Sequence, residues 1–196
     1  GMNTRGIKHE RGTNEAWEYI VISIIEPVRI PLMAVHYYQG ADLTKCCIEL
    51  LEFAKSLPVN IKSVAFDRGF YIAELIDYLE NAKGGQPLPY IILVPQTSAI
   101  KKYVAQTSKS YEVFPHTFRY SKDKSTWKPN TYIVVCKNVG VDKNGKPYDM
   151  IFSTNLPPSL KLVVEYRKRW NIETGFRMME EGKIKTKANH SVIRFF

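Results

Sequence analysis

The feature that most restricts how this chain can fold is an alternation between residues 17 and 104: short β-branched or aromatic runs trade places with stretches of helical period. Residues 17–25 and 29–38 are two such runs, stopped by Glu26-Pro27 and by Gln39-Gly40, and they read as an antiparallel pair with a short connection. Pro31 inside the second run predicts an edge or a bulge there. Over residues 41–57, Leu43, Cys46, Cys47, Leu50, Leu51 and Ala54 recur at helical spacing, with Asp42 as a suitable N-cap and Pro58 as the stop. A strand over 61–66 then runs into Asp67-Arg68-Gly69-Phe70. A helix over 71–82 presents Leu75, Ile76 and Leu79 on one face, residues 90–94 form a buried strand, and Ser98 opens a short helix to residue 104. This rhythm predicts an α/β sheet with partly parallel connections.

Beyond Thr107 the pattern changes. Residues 111–120, 131–137 and 148–154 read as strands, and Lys143-Asn144-Gly145-Lys146 between the last two carries the Asn-Gly signal of a tight hairpin. Residues 160–181 predict one long helix introduced by Pro157-Pro158-Ser159, and a strongly basic tail follows it. The first dozen residues are polar, basic and without period. The expected organisation is therefore residues 1–107 as the first part of an α/β core, 108–156 as a β-rich insertion, and 157–196 as a helix and basic tail completing the core.

Charge narrows the partners. With 28 Lys and Arg against 19 Asp and Glu the chain carries +9, which points to a polyanion. The longest apolar runs fall far short of the roughly 20 residues a membrane span needs, so no membrane partner is expected. Three cysteines cannot all pair within one chain, and Cys46 adjoins Cys47 on a predicted helix, which fits a reduced, cytoplasmic compartment. His9, His36, His116 and His190 have no metal-ligand spacing with one another or with the cysteines. Neither a glycine-rich phosphate loop nor a nucleophile elbow is present, and no small-molecule cofactor is expected.

Two acidic residues stand out. Alternation along residues 61–67 puts Ser63, Ala65 and Asp67 on one face and Val64 and Phe66 on the other. Asp67 thus sits at the carboxyl end of a parallel-type strand, where open α/β sheets place their ligands; an Asp that merely opens a turn or caps the next helix is the competing reading. On the long helix, at about 100° per residue, Tyr166, Arg169, Glu173, Arg177 and Glu180 share a polar stripe. Ile172, Phe176 and Met179 flank it on one side and Val163 and Trp170 on the other. A polar stripe between two apolar ones predicts a cleft lined by Glu173 and its arginines, against the alternative of a solvated Arg-Glu ladder of little energetic worth.

At these residues the sequence resembles the DDE-type insertion-sequence transposases. Tyr166, two residues, Arg169, three residues and Glu173 match most of that family's Tyr-Arg-Glu-Lys signature. Phe66-Asp67-Arg68-Gly69-Phe70-Tyr71 is similar to the segment around the family's second catalytic Asp, and the likeness runs from about residue 8 to the end. There are two departures. Glu180 stands where the signature has Lys, with Lys183 and Lys185 close by. No Asp precedes Asp42, although the family's first catalytic Asp lies on the first strand; Asp42 itself, in Asp-Leu-Thr, falls in the loop before the first helix. On this reading the chain is a catalytic domain that begins after its first strand.

The resemblance implies a ribonuclease H-like mixed sheet with flanking helices and a β-rich insertion before the C-terminal helix. It further implies metal-dependent phosphodiester hydrolysis and strand transfer at transposon ends, with Mg2+ or Mn2+ held by Asp67 and Glu173. Tyr166, Arg169, Arg177, Lys183 and Lys185 would contact double-stranded DNA. Trp127 would stack on an unpaired base, or simply pack a hairpin. The alternative is a non-catalytic DNA-binding remnant of a decayed or co-opted transposase. A homo-oligomer associated with the nucleoid is expected. Either residues 3–10 or a second molecule should cover the sheet edge that a missing first strand leaves open.

Overall fold

The computed structural model describes residues 5–10, 13–16, 18–81, 86–118 and 129–170, with side chains from residue 18 onward. The chain opens with β1 (Arg5–Glu10) and β2 (Thr13–Ala16), which pair antiparallel as a separate two-stranded sheet. A strand within residues 3–10 was one of two expected ways to cover the open sheet edge; β1 pairs with β2, and β2 was not expected, because backbone pairing of polar residues has no apolar alternation to announce it. Residues 5–10 thus take β2 as their partner.

The expected antiparallel pair is present as β3 (Tyr19–Ile24) and β4 (Ile30–His36), and the register slips between Ile22 and Ser23, opposite the segment that contains Pro31. Helix α1 (Leu43–Ser56) follows. Asp42 caps it, its carboxylate accepting from the backbone N–H groups of Thr44 at 2.9 Å and Lys45 at 3.2 Å. An N-cap satisfies donors that the first helical turn leaves orphaned, and this is the part Asp42 plays.

Among the described residues the main sheet has five strands: β5 (Val64–Phe66), β6 (Tyr90–Leu93), β7 (Tyr111–Thr117), β8 (Asn130–Val141) and β9 (Pro147–Thr154), in the spatial order β5-β6-β9-β8-β7. Only β5 and β6 are parallel, connected through a 3-10 turn at Arg68–Phe70 and α2 (Ala73–Asn81); the other neighbours run antiparallel. Helix α3 (Ser98–Gln106) joins β6 to β7. The β-rich insertion therefore continues the sheet that β5 and β6 begin. At the β8–β9 turn Gly145 has φ +75°, the left-handed conformation that the Asn-Gly signal anticipates.

Alternation sorts the core into two faces. Val64 and Phe66 of β5 and Tyr90 and Ile92 of β6 pack with Cys47 and Leu51 of α1 and Leu75, Ile76 and Leu79 of α2. Further along the same face, Ile133, Val135 and Ile151 meet Ile100 of α3. Ala65, Ile91, Val134, Met150 and Phe152 point the other way, onto α4 (Lys161–Arg167), where Leu162, Val163 and Tyr166 are buried. The faces expected for β5 are the faces observed. All three cysteines are buried and free; burial pushes the Cys47 thiol up to about 12. Among the described residues no helix is long and apolar enough to cross a membrane.

A buried polar chain sews the inserted strands to α2. The Tyr90 hydroxyl donates to Glu80 at 2.7 Å and lies 2.7 Å from the Thr131 hydroxyl, which is 2.9 Å from that of Ser153. Each buried polar group here has a partner, which is the condition for burying it without a large desolvation cost.

Among the edge strands, β5 and β3 each turn backbone groups away from their one described neighbour. The Val64 N–H donates to Pro89 O at 2.8 Å, so the next residue, Ala65, turns its N–H and C=O away from β6. On the hairpin the Tyr37 N–H donates to Glu18 O at 2.8 Å, which by alternation turns Tyr19 and Val21 away from β4. Ile20 and Ile22 of that hairpin pack into the same cluster as Val64 and Phe66.

Candidate active site at the carboxyl end of β5

Asp67 is the first residue after β5, and the strand's alternation delivers its side chain to the α4 face. Its Oδ1 accepts the Arg68 N–H at 2.8 Å, so it does cap the 3-10 turn, as the competing reading expects. The same oxygen also faces the hydroxyl of Tyr166, which donates to it across 3.4 Å from 99 positions away in the chain. Among the described residues Oδ2 receives no donor. A half-buried carboxylate with one oxygen held by the protein and the other without a donor among the described residues can bind as well as cap.

Tyr166 comes from α4 and is 1% exposed. Its ring lies against Phe152 at a centroid distance of 5.2 Å, and the Arg169 guanidinium sits over it at 5.4 Å. Burial raises the Tyr166 hydroxyl; the Arg169 charge opposes that shift and the Asp67 charge adds to it. The phenol stays protonated at neutral pH and acts as a donor to the carboxylate.

The end of α4 is held from two other sides. Arg167 Nη2 donates to the Val139 carbonyl at 2.6 Å and to the Tyr148 hydroxyl at 3.3 Å, both on the inserted hairpin. Lys168 bridges Glu26 at 2.8 Å and Glu165 at 2.9 Å, exposed contacts of small energetic weight. The Tyr148 ring occupies the space a side chain at residue 140 would need: a Cβ on Gly140 would lie 2.8 Å from the Tyr148 hydroxyl oxygen and 2.9 Å from two ring carbons. Gly140→Ala should therefore cost about 1–3 kcal/mol through overpacking, measured by urea denaturation. The cost should shrink in a Tyr148→Ala background, because the two positions share one space.

Asp67, Tyr166 and Arg169, singled out in the sequence, are thus brought together. Glu173, Arg177, Lys183, Lys185 and Trp127 lie outside the described residues. The single helix expected over 160–181 is α-helical in its described part over Lys161–Arg167 and again at Trp170, with Lys168 and Arg169 in a tighter turn between them, where the Lys168 N–H donates to Glu165 O and the Arg169 N–H to Tyr166 O. These bonds span three residues, a local tightening of the helix at Lys168 and Arg169. Trp170, expected to flank the stripe with buried Val163, is 47% exposed. Arg167 was missed. The strand expected over 131–137 stops short of its partner Val139, so no signal in the sequence pointed to it.

Among the described residues no three His, Cys, Asp or Glu side chains cluster as a metal site. Asp67 suits a hard divalent cation in kind, a carboxylate oxygen being the ligand Mg2+ prefers, but one carboxylate is too few to hold an ion alone.

The family described as Transposase DDE domain matches residues 41–190. The chain belongs to the DDE transposase family. No curated protein matches it. Among solved structures, this DDE domain is similar to a chain of the cryo-EM structure of the piggyBac transposase synaptic complex with hairpin DNA, at 12% identity and a TM-score of 0.60. That similarity covers 97% of this chain and 39% of that one, so the DDE domain described here spans about two fifths of the length of that transposase chain. At this identity the likeness is one of fold. It agrees with the expected ribonuclease H-like mixed sheet flanked by helices, with inserted strands between α3 and α4.

Proposed function

We propose that this chain is the catalytic domain of a DNA transposase of the Tyr-Arg-Glu-Lys branch, acting by metal-dependent phosphodiester hydrolysis and strand transfer at transposon ends. The observation that carries the reading is the meeting of Asp67 with Tyr166 across 99 positions, with Arg169 over the tyrosine ring. Family membership supports the reaction class.

In this proposal Asp67 and Glu173 would hold Mg2+ or Mn2+. A divalent ion pair, when bound, stabilises charge on the attacking and leaving oxygens of an in-line displacement. The protein's own part is to present the Asp67 carboxylate with one oxygen already committed and to hold phosphates with cations. Arg169, Arg177, Lys183 and Lys185 would grip the duplex backbone, where guanidinium groups bond phosphate bidentately, and Trp127 would stack on an unpaired base. A further strand bearing a third carboxylate would enter between β3 and β5, whose outward-turned groups at Val21 and Ala65 call for a partner. A homo-oligomer and a cytoplasmic, nucleoid-associated setting belong to the same proposal.

The test is Mn2+ affinity of the full chain by electron paramagnetic resonance. Binding is expected to be weak, and Asp67→Asn and Glu173→Gln should each lower it at least about tenfold. Unchanged affinity in both would remove the metal site. A second reading, a DNA-binding remnant without catalysis, draws on the lack of a three-ligand cluster among the described residues. It predicts duplex binding with no Mn2+-dependent nicking of supercoiled plasmid, even when a strand carrying Asp is joined upstream.

A further inference from the structure

We infer that Tyr166 is a positioning residue: its hydroxyl fixes the orientation of the Asp67 carboxylate, and it acts on the site from inside the protein through Asp67. The inference rests on the reading of Asp67 as a metal ligand proposed above.

The placement of the ring argues first. Tyr166 is 1% exposed and packed among Phe152, Met150, Leu162 and Ala65, so its ring has no surface to offer a duplex. Its polar atom is directed at a single acceptor, Asp67 Oδ1, at 3.4 Å. That is a long bond of the kind that tightens when a site is loaded. The second argument is that the same Oδ1 already accepts the Arg68 N–H at 2.8 Å. Two donors from different elements, one in the backbone and one on α4, restrict rotation of the carboxylate about χ2 and leave Oδ2 without a donor among the described residues. A single N-cap bond would fix the turn without fixing the carboxylate plane. Third, α4 is anchored independently by Arg167 on Val139 and Tyr148, so the hydroxyl is held from a braced element. Partners in a ligand's outer shell commonly change metal affinity by about 10–100-fold when removed.

The experiment uses the full chain with Tyr166→Phe, which keeps the ring and deletes only the donor, beside Asp67→Asn and the double variant. Three quantities are measured: Mn2+ affinity by electron paramagnetic resonance, affinity for a plain duplex in EDTA, and the midpoint of urea unfolding. Tyr166→Phe should weaken Mn2+ about tenfold, leave duplex affinity in EDTA unchanged, and weaken Mn2+ no further once Asp67 is Asn. Loss of duplex affinity in EDTA would make Tyr166 a direct DNA contact and overturn the inference. So would unchanged Mn2+ affinity in Tyr166→Phe while Asp67→Asn weakens it, and in that case the ligand reading of Asp67 survives. Unchanged affinity in Asp67→Asn removes the ligand reading itself, and the positioning role with it. A Tyr166→Phe chain that fails to fold would show the hydroxyl to be structural and would also overturn the inference.

Discussion

Raising the salt from about 50 to about 200 mM should weaken binding of this chain to a plain duplex by about a thousandfold, as expected for six phosphate contacts. The source is the charge of +9 and its placement: Lys101, Lys102, Lys109, Lys143, Lys146 and Lys161 are all exposed, and the sequence after residue 182 adds further lysines and an arginine. Each neutralised phosphate releases condensed counterions, so log affinity should fall with log salt at about 0.9 per contact. Fluorescence anisotropy at several salt concentrations gives the slope. A shuffled duplex sequence should give the same line, because phosphate contacts position without reading bases. A flat response would remove the polyanion reading on which the DNA proposal depends.

Phe152→Ala should destabilise the fold by about 3–5 kcal/mol, the range for deleting a buried aromatic ring. Phe152 is 0% exposed, lies on β9 between β6 and β8, and packs against the Tyr166 ring. Its loss opens a void under α4 at the point where that helix meets Asp67. Urea denaturation measures the change, which should appear as a shifted midpoint with little change in slope. A loss below about 1 kcal/mol would mean that α4 does not depend on this contact, and with it the bracing of the candidate site would fall.

The comparison of sequence with structure divides along physical lines. The α1 helix was legible because Asp42, the apolar spacing from Leu43 to Ala54 and Pro58 agree with one another, and the structure uses Asp42 as the cap. The face of β5 was legible because a period of two leaves no choice: once Val64 and Phe66 go to the helices α1 and α2, Ala65 and Asp67 must go to the other side. The pairing of β1 with β2 was not legible, since backbone pairing of polar residues leaves no hydropathy signal. Nor was the length of β8, which passes through Asn138, at φ 50°, and Gly140, residues that normally mark turns. Tyr166 shows a subtler limit. Its hydroxyl placed it on a polar stripe with Arg169, whereas the folded chain buries the ring and aims only the oxygen at Asp67. A helical wheel cannot separate the two ends of an amphipathic side chain. Family resemblance singled out Asp67, Tyr166 and Arg169, with Asp67 expected to meet Glu173, which lies outside the described residues; the contact of Tyr166 with Asp67 was not anticipated, and the bracing by Arg167, Tyr148 and Gly140 has no counterpart in any short motif.

The order of strands in the main sheet also sets an order in time. Chain synthesis makes β7 and β8 before β9, yet β9 is the strand that pairs with β6 and so connects the inserted strands to the core. As they leave the ribosome, β7 and β8 can form a hairpin with each other, a local event on the microsecond scale, and can rest on α3 through Ile133 and Val135, but they gain a hydrogen-bonded place in the main sheet only once Thr154 has emerged. The last-made strand of the insertion is its keystone. From residue 118 to residue 154 the nascent chain carries apolar strands with unjoined edges, and that interval of synthesis is when it most needs to be kept from other chains.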